Sequence, residues 1–470
     1  MENARRNMKI DLRCKAAILM AKTVQWVCKH TGTSGTSLPG MMALRIDPNM
    51  LKKLASGFRV IAITGTNGKT TTTGMVSRIL EANGIPHITN RSGANMIMGI
   101  ATAFAEQVDL NGNSPYQWAV LEVDEATVKR FCSSVQPEAL IVTNFFRDQL
   151  DRYGEVYSVA DAILAGVQKV PGVKLILNAD DSLCASLGVR AERESVYFGF
   201  EPGAAPASAE NNISTNSYCL FCHGKYEYSY RVLGHLGGFR CTECGFHRPE
   251  PTFKCTKVAD IRQDHSDFVF DIAGETHEVR VDLPGMFNGY NALAAAACCQ
   301  TLGFPFDVTA KVLANMESCF GRMESISVPG NKRILMMLVK NPVGFNQILR
   351  YLLDTDGTFS AAFLINDKYQ DGTDISWLWD VDFEQLTGAQ EKIERLYASG
   401  VRGEDMAVRL KYAGFPLGKV QLQKDFEELI REGLAKLPAG GTLYLAATYT
   451  AMMESRASLK KKFDLKEIWQ

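Results

Sequence analysis

The sequence predicts an α/β protein: a parallel central sheet, a small four-cysteine insert, and a second, smaller Rossmann-like α/β unit. Three observations carry this. Short continuous apolar runs alternate with helical stretches from residue 58 onward, the pattern of strands covered by helices on both faces. A glycine-rich turn, Thr64–Thr73 (T-G-T-N-G-K-T-T-T-T), separates the first run from the first of those helices. Composition then shifts twice, at Glu201–Ser217, rich in Ala, Asn, Ser and Pro, and at Val328–Asn331 (V-P-G-N). The 470 residues accordingly divide into a short N-terminal segment at 1–50, a central unit at 51–325 with an insert at 205–260, and a C-terminal unit at 326–470.

Taken in order, Phe58–Ile63 reads as a buried strand and Lys69–Asn83 as a helix stopped at Gly84. Trp118–Val123, Ala139–Thr143 and Val173–Leu177 are further strands, and Ser158–Val170 is a helix between them. Helical character returns in the Ala-rich Asn288–Leu302. In the C-terminal unit Arg333–Val339, Ser360–Ile365 and Thr442–Ala447 read as strands, with helices expected at Asp382–Ser399 and Lys424–Leu437.

Composition excludes several classes. Apolar residues at 46% and charged residues at 22% suit a globular chain with sizeable cores. Lys and Arg number 51 against 52 Asp and Glu, so no basic field marks a nucleic-acid binder. The apolar stretch Ala16–Ala21, between Lys15 and Lys22, is too short for a transmembrane span or a signal core. Without a secretory signal, the 12 cysteines read as reduced thiols of a cytoplasmic protein.

The glycine turn sits where phosphates bind, with backbone N–H groups and a helix N-terminus facing the anion. Gly65 and Gly68 permit the turn, Lys69 reaches the β- and γ-phosphates of ATP, and the Thr70 hydroxyl can hold Mg²⁺. Thr66, Asn67 and Thr71 complete the cradle. Ile63 stands where the strict phosphate-loop motif has its first Gly.

Further along, Cys219, Cys222, Cys241 and Cys244 form C-x₂-C-x₁₈-C-x₂-C. Two such knuckles fit a tetrahedral Zn²⁺ held by four thiolates, a closed and structural site. A redox thiol pair is the rival reading. In the C-terminal unit, Leu364–Asp380 places Asp367, Asp371 and Asp374 around Gly372 after a strand, which fits either a site at a sheet crevice or a solvated turn. Lys340 and Asn341 lie in a preceding loop that fits either a phosphate- or substrate-contacting role or a plain connection.

The T-G-T-N-G-K-T-T loop resembles that of the Mur ligase and folylpolyglutamate synthase superfamily, ATP-dependent enzymes that join an amine to a carboxylate. Leu121–Ala126 (L-E-V-D-E-A), Thr143–Glu155 (T-N-F-F-R-D-Q-L-D-R-Y-G-E), Asn178–Asp181 (N-A-D-D), Leu283–Ala294 (L-P-G-M-F-N-G-Y-N-A-L-A) and Phe320–Glu324 (F-G-R-M-E) follow in the superfamily's order. The resemblance implies that Glu122 is a second Mg²⁺ ligand, that Asn288 and Asn291 contact adenine, and that Arg322 lies near the ribose. Gln149 replaces a metal-binding His, and the Lys that related ligases carboxylate is absent from Asp161–Ala165 (D-A-I-L-A), which puts the second metal site in doubt. Too little chain precedes the loop for the usual UDP-binding domain.

The zinc knuckles and N-D-x-x-x-D-G-x-D-x-S-W-x-W-D together resemble the MurT family, ligase subunits of bacterial lipid II isoglutaminyl synthases. That resemblance implies amidation of the D-glutamate α-carboxylate of lipid II through an acyl phosphate, with ammonia from a GatD-like glutaminase partner. It implies too that an Asp of the C-terminal loop completes the partner's Cys–His pair, Asp371 in first place with Asp374 as the alternative. The sequence holds no G-x-C-x-G elbow and thus no glutaminase signature of its own. A stand-alone amino-acid ligase is the alternative, and a zinc-ribbon module using ATP as a conformational ligand is a third reading.

Overall fold

The structure, a computed structural model, describes residues 10–31, 35–90, 93–146, 156–205, 217–262, 264–316, 322–355, 357–463 and 465. The side chain of Arg322 and residue Gln149 lie outside the described residues. The chain forms two compact units, the first running to Met316, and each is built on its own sheet.

The first unit's strands are β1 (Arg59–Thr64), β2 (His87–Thr89), β3 (Trp118–Glu122), β4 (Ala139–Val142), β5 (Lys174–Asn178), β6 (Ser195–Phe200), β7 (Tyr226–Leu233), β8 (Leu236–Cys241), β9 (Phe253–Ile261), β10 (Ser266–Ile272) and β11 (Glu275–Val281). Nine form one sheet in the order β11-β10-β9-β6-β5-β4-β1-β3-β2. From β2 through β9 neighbours pair parallel, while β9, β10 and β11 form an antiparallel extension. The parallel strands read as unbroken apolar runs because both faces are covered. Val60, Ala62, Ala119 and Leu121 join one core, and Ile61, Ile63 and Val120 on the opposite face are equally buried. By contrast β10 alternates buried and half-buried positions, as a strand with one wet face does.

Strand order places the site. The chain passes from β1 to β2 and β3 on one side, then crosses to β4 on β1's other side. A crevice therefore opens at the C-terminal end of β1, where such sheets bind ligands. The segment ahead of β1 packs into the same core: Cys14, Ala17, Ile18 and Ala21 of the Leu12–Thr31 helix are buried there. The Leu38–Ile46 helix lies so close to the Ile97–Glu106 helix that a Cβ on Gly40 would stand 2.0 Å from the Met98 carbonyl oxygen.

The second unit holds β12 (Arg322–Val328), β13 (Lys332–Leu338), β14 (Phe359–Leu364), β15 (Ile393–Ser399), β16 (Val420–Leu422) and β17 (Thr442–Ala447), ordered β12-β13-β17-β14-β15-β16. All pairs are parallel except β12–β13. The helix expected over Asp382–Ser399 is not formed. A 3₁₀ stretch covers Phe383–Lys392, and Ile393–Ser399 is strand β15, held between β14 and β16. Burial of Leu396, Tyr397 and Ala398 in the sheet overrides the helical propensity of the preceding Glu- and Lys-rich residues.

Candidate functional site

At the end of β1 the chain turns through Gly65 and Gly68, whose φ values of 125° and 85° are accessible to glycine at little cost. Both also accept close neighbours. A Cβ at Gly65 would stand 2.2 Å from Thr143 Oγ1, and one at Gly68 would stand 2.1 Å from Asn291 Oδ1. The Lys69–Ala82 helix starts next, with Gly68 at its N-cap bringing no side-chain acceptor to its first N–H groups. Those donors face the concavity of the turn, ready for an anion.

Lys69 is buried, and its ammonium folds back on the loop. Nζ donates to the Gly65 carbonyl at 2.5 Å and to the Thr66 carbonyl at 3.3 Å. It also pairs with Glu125 Oε2 at 3.1 Å. Glu125 is the last of three carboxylates in L-E-V-D-E-A, after Glu122 and Asp124, and nothing in the motif's spacing singles it out as the partner of Lys69. Register explains Glu122 itself: β3 pairs with β1 so that Glu122 lies beside Ile63, bringing its carboxylate to the mouth of the loop. Thr70 Oγ1 donates to Glu122 Oε2 at 2.8 Å and Asn95 Nδ2 donates to Oε1 at 3.0 Å. Asn90 fixes the same residue through the backbone, accepting from its N–H and donating to its carbonyl, both at 2.9 Å.

This donor set fits Mg²⁺. Two adjacent ligands of an octahedral Mg²⁺ at about 2.0–2.1 Å lie about 2.9 Å apart, and the hydroxyl of Thr70 and the carboxylate of Glu122 already keep that separation.

The loop is clamped from behind. Thr143 Oγ1 donates to the Asn67 carbonyl at 2.7 Å, while Asn144 Oδ1 accepts from the Asn67 N–H at 2.9 Å. Thr66 donates its N–H to the Asn144 carbonyl at 2.9 Å and accepts from the Phe146 N–H at 3.1 Å. Thr71 is buried one step into the helix. Asn291 reaches the loop from the Met286–Thr301 helix: its Nδ2 donates to Asn288 Oδ1 at 3.0 Å, and Asn288 Nδ2 donates to the Pro284 carbonyl at 2.8 Å. The residues expected to hold the nucleotide, Gly65, Thr66, Asn67, Gly68, Lys69, Thr70, Thr71, Asn288 and Asn291, therefore share one neighbourhood with Glu122. Arg322 opens β12, and its side chain is not described.

Two buried carboxylates of N-A-D-D support this edge of the sheet. Asp181 caps the Ser182–Ala191 helix, accepting from Leu183 and Cys184 N–H groups, and accepts from Phe145 N–H at 2.6 Å. Asp180 accepts from Tyr290 OH at 2.6 Å and from Arg248 Nε at 2.7 Å. Burial, reinforced by the Asp180 charge, pushes the Tyr290 phenol well up, so it remains a donor. The Tyr290 ring stacks on Phe200, 4.2 Å between centroids.

The four cysteines converge. Their sulfurs all lie within 4.8 Å of one another, with Cys219–Cys244 at 3.6 Å and Cys222–Cys241 at 3.4 Å. Four sulfurs at about 2.3 Å from one Zn²⁺ would be about 3.8 Å apart, so the set fits that ion. The β7–β8 hairpin joins the knuckles, and Tyr226 and Phe239 pack beneath Cys219 and Cys241.

In the second unit Asp371 and Asp374 have different surroundings. Asp371 is buried: Oδ1 accepts from Thr450 N–H at 2.7 Å, and Oδ2 accepts from Thr450 Oγ1 and from Lys368 N–H. It thereby ties the loop to the N-terminus of the Tyr449–Lys460 helix. Asp374 is half-exposed and holds Ser376 through its N–H at 2.8 Å and hydroxyl at 2.9 Å. Asn341 caps the Pro342–Leu353 helix, accepting from Gly344 N–H at 2.9 Å.

The chain matches two family models, the Mur ligase middle domain over residues 63–237 and the MurT ligase C-terminal domain over 338–452. A relative from Streptococcus pneumoniae R6, the MurT subunit of lipid II isoglutaminyl synthase (glutamine-hydrolyzing), is 35% identical over 453 residues, covering 96% of this chain and 98% of the relative. The protein of the same name from Staphylococcus aureus COL is 32% identical over 456 residues, covering 96% and 99%. A solved pseudomurein peptide ligase type C from Methanothermus fervidus superposes with a TM-score of 0.66 at 25% identity, over 88% of this chain and 81% of that one. A MurF structure from Acinetobacter baumannii (TM-score 0.65, 18% identity, 91% and 81% covered) shares the fold.

Proposed function

Because the chain belongs to the MurT family of Mur ligases, we propose that it is the ligase subunit of a lipid II isoglutaminyl synthase. It amidates the α-carboxylate of D-glutamate in the stem peptide to D-isoglutamine, with ATP as the activating substrate. The observation that carries this reading is the constellation at the end of β1: Lys69 beside Glu125, and Thr70 beside Glu122.

A carboxylate is a poor electrophile. One of its oxygens attacks the γ-phosphorus, ADP leaves, and an acyl phosphate forms. The lone pair of ammonia then attacks the acyl carbon, the phosphate leaves, and the nitrogen sheds a proton. Lys69 exchanges its pairing with Glu125 for the β- and γ-phosphates and offsets their charge as the phosphoryl group moves. Thr143 and Asn144 keep the loop's shape through that exchange. Asn288 and Asn291 serve the adenine side. Thr70 and Glu122 would hold Mg²⁺, which would neutralise negative charge on the phosphates. Cys219, Cys222, Cys241 and Cys244 would hold Zn²⁺ as a closed structural site.

Ammonia is mostly protonated at neutral pH, so the nitrogen needs a local source, supplied here by a GatD-like glutaminase subunit. The geometry favours Asp374 over Asp371, the first choice from sequence, for the role in trans: Asp371 is buried against Thr450 of a distant helix, whereas Asp374 is half-exposed and accepts from Ser376, two residues on. In that second unit the exposed Trp379 packs edge-to-face on Tyr412, 5.6 Å between centroids, with the Arg409 guanidinium 5.5 Å from the Trp379 ring. Aromatic and arginine side chains of this kind anchor interfaces. The test is reconstitution of chain, glutaminase, ATP, glutamine and lipid II. Amidated lipid II and equimolar phosphate are expected; absence of phosphate release with all substrates present overturns the reading.

A further inference from the structure

The Leu12–Thr31 helix buries one face and leaves an unusual one outside. Cys14, Ala17, Ile18, Ala21 and Cys28 point into the core. On the opposite side Leu12, Ala16, Leu19, Thr23, Trp26 and His30 recur at steps of three and four and are all exposed, so they form a single stripe. Leu12 is 83% exposed, Leu19 54% and Trp26 61%. Scattered exposed apolar residues need no explanation, but a solvent-facing helical stripe is ordinarily polar. Lys15, Lys22 and Lys29 run along one flank at steps of seven, and Arg13 lies on the other. The helix carries these four cations and no carboxylate, in a chain whose net charge is −1.

We infer that this face lies in the interface of an anionic lipid bilayer. A second copy of the chain is the wrong occupant, since two such faces would oppose like charges. The helix does not span: no helix among the described residues is long and apolar enough to cross a membrane. Its 20 residues give about 30 Å of length, and an apolar stripe edged with lysines, with a Trp near one end, is the pattern of a helix lying on a charged surface. The stripe is tied to the catalytic crevice through packed elements. The helix packs on Leu38–Ile46, which packs on Ile97–Glu106, which begins two residues after the Glu122 partner Asn95. This rests on the reading above for its purpose, a lipid-borne substrate, but not for its evidence.

The test is co-sedimentation of the full chain with vesicles of phosphatidylglycerol and phosphatidylethanolamine, against phosphatidylcholine vesicles. Binding to the anionic vesicles is expected, at least tenfold weaker at 500 mM than at 50 mM salt (about these concentrations bracket the screening range). Leu19→Glu/Trp26→Glu is expected to lower it at least tenfold while phosphate release on detergent-solubilised substrate stays at the wild-type level. Lys22→Gln/Lys29→Gln, which keeps the stripe, is expected to lower it less and to flatten the salt dependence. Wild-type protein that ignores anionic vesicles, or a Leu19→Glu/Trp26→Glu variant that binds as well as wild type, overturns the inference. So does a variant that instead loses self-association or its glutaminase. Vesicle binding without any amidation would sink the enzymatic reading and leave this one standing.

Discussion

The phosphate loop of the first unit and the aspartate loop of the second both follow a buried parallel strand, yet they settle their charges in opposite ways. In the first, every functional group already has a partner within the fold: Lys69 rests on Glu125 and two carbonyls, and Thr70 on Glu122. Ligand binding there is an exchange of partners in a preshaped cradle, which limits the reorganisation needed. In the second, one carboxylate is spent on architecture while its neighbour three residues on stays at the surface. That arrangement suits a group offered to another molecule. A buried, self-satisfied site and a surface-presented side chain should therefore fail differently when altered.

The sharpest separation comes from changing the nitrogen source. Asp374→Asn is expected to cut glutamine-dependent amidation by up to about 10⁴-fold, the scale seen when a carboxylate that orients a catalytic His is neutralised. Amidation driven by added ammonium should stay near wild type; parallel loss of both would place Asp374 in the ligase chemistry instead. Lys69→Ala should lower both rates alike by about 10²–10³-fold, read as phosphate release. If it spares the ammonium-driven reaction, the phosphate loop is not the ligase centre.

Gly68→Ala tests the closeness of the cradle. The new methyl meets Asn291 and the backbone keeps a positive φ, so thermal unfolding should show a loss of about 1–2 kcal/mol from the backbone alone, with weaker nucleotide binding. Asp371→Asn should cost about 1–3 kcal/mol of stability, the range for an impaired buried hydrogen bond, with a smaller effect on glutamine-dependent turnover than Asp374→Asn. The reverse ranking would exchange the roles assigned to the two residues. For the Cys₄ hairpin, stoichiometric Zn²⁺ is expected by elemental analysis, and chelation should raise amide exchange over 217–247 while β1 and β4 stay protected.

Much of the fold was legible because its strands are short apolar runs with punctuating glycines. Thr442–Ala447 matches β17 to the residue, and the runs at 58, 118 and 139 fall within one residue of β1, β3 and β4. The failure at Asp382–Ser399 has a physical cause: local helix formers lead into residues whose strand state is imposed by neighbours distant in sequence. The site shows the same division. Gly65, Gly68, Lys69 and Thr70 announce themselves by spacing, and the four cysteines do so even more plainly. Glu125, Asn95 and the Thr143–Asn144 clamp could not be assigned, because their roles exist only once β1, β3 and β4 lie side by side. Asp371 and Asp374 look equivalent in sequence, and what separates them is Thr450, on a helix beyond β17.

The seat of Gly68 against Asn291 carries a consequence for biosynthesis. Thr72, one turn on from that glycine, touches the same asparagine across 219 positions of sequence. At about 5–20 residues per second of synthesis, the opening of the glycine turn emerges on the order of tens of seconds before the piece that packs against it. A nascent chain on the ribosome thus leaves this turn without its Asn291 neighbour until that distant helix has been made.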